Sequence, residues 1–251
     1  MKIHIRDPLA FTFVELLLVI AVVAVLVALL APATAINRAH PKRINCSNNL
    51  KQIGVAYRLV QGDIHTAGSI IYVGDPPEYG RAVPNADELR ATPPDAGFVY
   101  QYFGVMSNEL NSPKIIICPA DERTAHSNFN MLKDNKSAGA YLNNTAASYF
   151  VGRDVQEPLP QMFQCGDRNL GASSTATGYG YSPAATVATG SYAALGTNNS
   201  SVSWTARMHQ KQGNVLFADG HVESLSSAKF RQACAVTGDT TTPTPNVILF
   251  P

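Results

Sequence analysis

Residues 11–31 read FTFVELLLVIAVVAVLVALLA, a run whose only polar side chains are Thr12 and Glu15. At about 1.5 Å per helical residue, a helix of this length reaches across a hydrocarbon core of roughly 30 Å. The apolar region of a cleaved secretory signal covers only about 7 to 15 residues, and the unbroken run 16–31 is longer. The stretch therefore predicts a retained membrane helix. An ionised carboxylate inside such a helix costs on the order of 2.5 to 3.5 kcal/mol and seeks a partner. A chain cut before Phe11 would carry its new α-amine at nearly the depth of Glu15, where it can pair with Glu15 of a neighbouring subunit.

With the preceding PLA, this stretch resembles the N-terminus of type IV pilins and type II secretion pseudopilins. The resemblance implies a leader, residues 1–10, removed by a prepilin peptidase between Ala10 and Phe11. It further implies N-methylation of Phe11 and an assembly role for Glu15. The family usually has Gly before the cut where this chain has Ala10, and Pro32 stands where many members carry a helix-loosening Pro. The implied fold is α+β and pilin-like: a transmembrane and spine helix over residues 11–61, packed on a mainly antiparallel sheet in an extracytoplasmic domain over residues 62–251. The implied partners are prepilin peptidase, other pilin or pseudopilin subunits and the bacterial inner membrane, crossed once, with the C-terminal domain periplasmic or extracellular.

The remainder is long enough for one sizeable domain. Lys and Arg total 19 against 18 Asp and Glu, without long runs, so no nucleic-acid surface is expected. Lys2 and Arg6 precede the apolar run and Arg38, Lys42 and Arg43 follow it, so charge alone leaves orientation open. Cys46, Cys118, Cys165 and Cys234 contain no CxxC, which excludes a zinc-ribbon or thioredoxin pattern. Outside the cytoplasm they allow two disulfides in any of three pairings, with free buried thiols as the alternative.

Beyond Pro32, Ile44, Leu50, Ile53, Tyr57 and Val60 fall at helical spacings, predicting an amphipathic continuation to about residue 61, kinked by Pro41. Residues 61–92 read as irregular surface chain, 93–110 as a short helix with Phe98, Tyr102, Val105 and Met106 on one side, and 115–118 as a strand. Weaker strands are expected at 147–151 and 161–164. Residues 171–203, rich in Ser, Thr, Gly and Ala, read as a long loop whose Tyr179, Tyr181 and Tyr192 could offer an adaptable contact surface.

The last signature is HQKQGNVLFADGHVESL, residues 209–225. Two apolar runs flank Asp219-Gly220, which predicts a two-residue type I′ hairpin with Phe217 opposite Val222. His209, Asp219 and Gly220 also match the H-x9-D-G signature of a pseudopilin-like family. Further echoes of that family are NNLKQIG after Cys46, CPAD at Cys118, SYFVG at Ser148 and GDRN at Gly166. His209, Asp219 and His221 form a conceivable metal or catalytic set, but the turn already explains Asp219, so structural hydrogen bonding is the default and no catalytic or metal residue is assigned. Major pseudopilins often bind calcium, which makes Asp121, Glu122, Asp167 and Asp219 candidate oxygen ligands, although nothing has the density of an EF-hand. No GxSxG, HExxH or P-loop is present. The expected function is structural. The competing class is a membrane-anchored periplasmic enzyme or ligand-binding domain, and it requires His209, Asp219 and His221 to converge on a pocket.

Overall fold

An apolar helix, α1 (Phe13–Ile36), comes first in the chain, and α2 (Ala39–Ile64) follows it. The structure, a computed structural model, describes residues 12–36, 39–64, 99–129, 144–153, 155, 159–175, 178–181, 190–240 and 245–251. The expected cleavage pair Ala10 and Phe11, and the irregular chain expected after residue 64, lie outside them. Two compact units result, Met1–Pro41 and Lys42–Pro251.

In the first unit α1 continues through Pro32. Its start is a reciprocal cap. The Glu15 carboxylate accepts from the Thr12 backbone N–H and hydroxyl, both at 2.9 Å, while the Glu15 N–H donates to Thr12 Oγ1 at 3.3 Å. TFVE is thus a capping box, which satisfies end donors that the helix itself cannot. Side chains of α1 are described as far as Ala28, and every one is exposed. The part of α1 whose side chains are described, residues 13–28, is sixteen residues long, and among the described residues no helix is long and apolar enough to cross a membrane.

In the second unit α2 buries Cys46, Leu50, Ile53, Ala56, Tyr57 and Val60 along one face. Ile44, expected on that face, is exposed. It precedes Cys46 by two residues, a rotation of about 200° that puts it on the far side. The helix ends at Ile64, three residues beyond its expected end. The expected short helix is split into α3 (Val99–Val105) and α4 (Ser107–Leu110). Residues 115–118 are not a strand. Pro113–Ile116 form a 3₁₀ turn, with Ser112 accepting from the Lys114 N–H and Pro113 at its first position, where no donor is needed.

The strands are β1 (Tyr149–Gly152), β2 (Phe163–Asp167), β3 (Leu170–Gly171), β4 (Ser191–Ala194), β5 (Ser203–Trp204), β6 (Gln212–Phe217), β7 (Val222–Ser226) and β8 (Val247–Phe250), with α5 (Ser227–Val236) after β7. Six of them form an antiparallel sheet in the order β4-β8-β1-β2-β6-β7, and β3 pairs with β5 separately. The fold is α+β with a mainly antiparallel sheet. Alternation sends Tyr149, Val151, Leu216 and Leu249 into the core shared with α2, and Phe150, Val215, Phe217 and Phe250 into a second core with Trp204 and Phe230. A bulge between Phe163 and Cys165 breaks the alternation, so these two residues join opposite cores.

The hairpin forms in a different register from the expected one. Leu216 faces Val222, Val215 faces Glu223, and the Phe217 N–H donates to the His221 carbonyl. Of the turn residues only Gly220 has a positive φ, 84°, so a type I′ turn, which needs two, does not form. The connection is a three-residue loop closed by Gly220. As a result the His221 ring stacks on Phe217, with centroids 4.3 Å apart, and does not point to the opposite face.

Candidate functional site

Cys46 on the buried face of α2 and Cys118 after the 3₁₀ turn form a disulfide across 72 residues of sequence. Closing a loop of this length removes unfolded-state entropy equivalent to about 4 kcal/mol. Asn49, one turn further along α2, donates to the Ile117 carbonyl at 3.1 Å and to the Tyr149 hydroxyl at 3.3 Å. The helix is therefore tied to the CPAD segment and to β1 by covalent and polar links together.

The GDRN segment, at the end of β2, ties the rest. Asp167 is fully buried, and its Oδ2 accepts from the Asn214 N–H at 2.6 Å and from the Asn214 side-chain amide at 2.8 Å. Arg168, also fully buried, makes a bidentate ion pair with Asp121, both contacts at 2.7 Å. Burial alone would raise the Asp121 carboxyl, but the hydrogen bonds and charge of Arg168 hold it below the ordinary carboxylate value. Asn169 donates to the carbonyls of Thr205, Arg207 and Gln212, clamping the loop that precedes β6. Three residues of that loop, Met208, Gln210 and Lys211, have positive φ of 60°, 54° and 65°. For residues other than Gly this is a strained conformation, held only where surrounding contacts over-determine it.

The strained loop presents His209. Its Nε2 lies 3.2 Å from Cys118 Sγ and 3.4 Å from Asp167 Oδ2. Cys46, Cys118, Asp167 and His209, all buried, have donor atoms within 4.8 Å of one another, the only such group of three or more among the described residues. Asp219 and His221 are elsewhere. His209 precedes β6 and Asp219 follows it, so the strand's six residues, roughly 20 Å of extended chain, separate the two parts of H-x9-D-G. Asp219 Oδ1 accepts from the His221 N–H at 3.0 Å and sits 2.5 Å from its Nδ1, on the exposed turn. The convergence required by the enzyme alternative is therefore not formed by these three residues. A groove of about 460 Å³ between α2 and residues 109–115 contains none of them.

The candidate calcium ligands are likewise dispersed. Asp121 is taken by Arg168, Glu122 by the Tyr181 hydroxyl at 2.7 Å, Asp219 by His221, and Asp167 lies in the buried cluster. Cys165 and Cys234 are buried thiols. Burial pushes the Cys165 thiol well up and that of Cys234 to about 12, so neither is a nucleophile at neutral pH. Tyr181 lies under the guanidinium of Arg168 and Tyr179 stacks on Phe250, which leaves Tyr192 as the exposed member of the three tyrosines. Reading for catalytic sets overlooked Arg168, Asn169, Asn214 and the pairing of Cys46 with Cys118. The signal was present in CPAD and GDRN, two short segments whose buried charges answer one another. No protein family, curated protein or solved structure matches the chain.

Proposed function

We propose that the chain is a pilin-like structural subunit, a pseudopilin, processed by a prepilin peptidase and assembled into a type II secretion-like pseudopilus or a type IV pilus-like fibre. The observation that carries this reading is α1: a 24-residue helix whose described side chains are all exposed, with one carboxylate in its first turn. An apolar helix of this kind is an interaction surface for lipid and for other helices. The second unit suits a fibre subunit, because a disulfide, Asn49 and a continuous apolar face fix α2 to the sheet. On this reading residues 11–31 cross the bacterial inner membrane, the sheet domain is periplasmic or extracellular, and the partners are further pilin or pseudopilin subunits.

Mass spectrometry of the protein extracted from its native membrane tests processing. The expected species begins at Phe11, carries one added methyl group and retains the Cys46–Cys118 bond. A mature chain still beginning at Met1, in cells with active prepilin peptidase, would refute the reading.

A further inference from the structure

We propose that Cys46, Cys118, His209 and Asp167 bind a zinc ion when the Cys46–Cys118 bond is reduced, so that metal and disulfide are alternative staples of the same junction. Two thiolates, one imidazole and one carboxylate are a zinc donor set, and thiolates disfavour calcium or magnesium. Two of the six edges between donor atoms are close to what such an ion requires. With metal–nitrogen and metal–oxygen bonds of about 2.0 to 2.1 Å, a tetrahedron places N and O about 3.3 to 3.4 Å apart. His209 Nε2 and Asp167 Oδ2 are 3.4 Å apart, long for a hydrogen bond but equal to that edge. Cys118 Sγ is 3.2 Å from the same nitrogen, against about 3.5 Å in a zinc site. Separating the two sulfurs to about 3.8 Å requires rotation of the cysteine side chains, whose Cα atoms are 5.1 Å apart.

One further observation points to a ligand. Asp167 is fully buried, yet its Oδ1 has no hydrogen-bond partner, an unusual state for a carboxylate oxygen in a protein interior. Met208, Gln210 and Lys211, all at positive φ, flank His209, whose Nε2 lies 3.2 Å from Cys118 Sγ. The two Asn214 donors on Oδ2 fix the orientation of the carboxylate.

A dithiol reductant supplies two electrons and two protons to the disulfide, giving two cysteine thiols and its own disulfide. Zinc binding then releases the two thiol protons, while the His209 imidazole and the Asp167 carboxylate donate lone pairs. Where thiols are kept reduced the metal closes the junction, and where they are oxidised the disulfide does.

The test uses the full chain in detergent, reduced with a dithiol that is then removed without oxygen, and titrated with Co²⁺ as a probe for zinc. The expected result is one cobalt per reduced chain, with a thiolate-to-metal charge-transfer band that is absent from the oxidised protein and displaced by zinc. Cys46→Ser with Cys118→Ser abolishes the band, and His209→Gln and Asp167→Asn each weaken binding by at least about tenfold. Each variant is first shown to fold by the fluorescence of the single tryptophan, Trp204, the last two in their oxidised forms. Three results would overturn the proposal: a folded reduced chain that takes up no cobalt, a spectrum and affinity unchanged in both His209→Gln and Asp167→Asn, or a reduced chain that unfolds and is not restored by zinc.

Discussion

Asp121 carries more of the fold than its place in a surface-like CPAD segment suggests. Its carboxylate is the bidentate partner of a fully buried guanidinium, and both side chains are wholly shielded from solvent. Removing one member of such a pair strands the other, typically at about 3 to 5 kcal/mol. Asp121→Asn should therefore lower the unfolding free energy at neutral pH by about that amount, read from denaturant titration followed through Trp204. The depressed folded-state pKa fixes the pH dependence. The stabilisation is fully present above the ordinary value of 3.8 and is lost as pH falls below it, through the folded value. The gap between parent and variant should thus narrow in acid, and a gap of under 1 kcal/mol at neutral pH, or one independent of pH, would contradict the assignment. The sequence made Asp121 visible as an acid three residues after Cys118, but its partner lies 47 positions away, a distance that local pattern does not bridge.

At the scale of elements, local chemistry was legible and non-local geometry was not. The apolar run of α1, the burial stripe of α2 and the β6–β7 hairpin all follow from side-chain period and turn residues within one segment. The hairpin register escaped by one residue because Asp-Gly serves a type I′ turn and a three-residue loop alike, and the choice depends on whether Asp219 also takes a positive φ. The apolar run before Pro119 suggested a strand, yet Ser112 and Pro113 cap a 3₁₀ turn there. The bulge in β2 has no local signature, since both of its neighbours, Phe163 and Cys165, are apolar. Gly54 of NNLKQIG is explained only by tertiary approach, because a Cβ there would stand 2.9 Å from the Leu216 side chain on β6. The turn itself yields a clear prediction. Gly220 has φ of 84°, so Gly220→Val forces a β-branched residue into a conformation it resists, at about 1 to 3 kcal/mol. The measurement is the thermal unfolding midpoint of the full chain in detergent, which should fall, and an unchanged midpoint would rule out a strained requirement for glycine.

For the whole molecule, the separated motifs NNLKQIG, CPAD, SYFVG, GDRN and His209 meet around one buried junction that anchors α2 to the sheet, while Asp219-Gly220 closes a distant turn. That junction accounts for the rigidity of the second unit, and on the proposed reading α1, with Glu15 as its single carboxylate, makes the contacts between subunits. Glu15 has a local role as well, since it completes the capping box with Thr12, and Glu15→Ala would remove cap and charge together. Glu15→Gln separates them, because glutamine preserves the capping-box geometry but cannot pair with an α-amine. The central claim is that Glu15 acts in assembly through its charge, so the decisive measurement is polymer yield. Parent and Glu15→Gln are expressed at matched levels, confirmed in the membrane with the sheet domain folded, and compared for sheared and cross-linked fibre. The account predicts equal insertion and folding but at least about a tenfold loss of polymer, the effect of losing some 1.4 kcal/mol per subunit contact. Parent-level polymer from Glu15→Gln would contradict it.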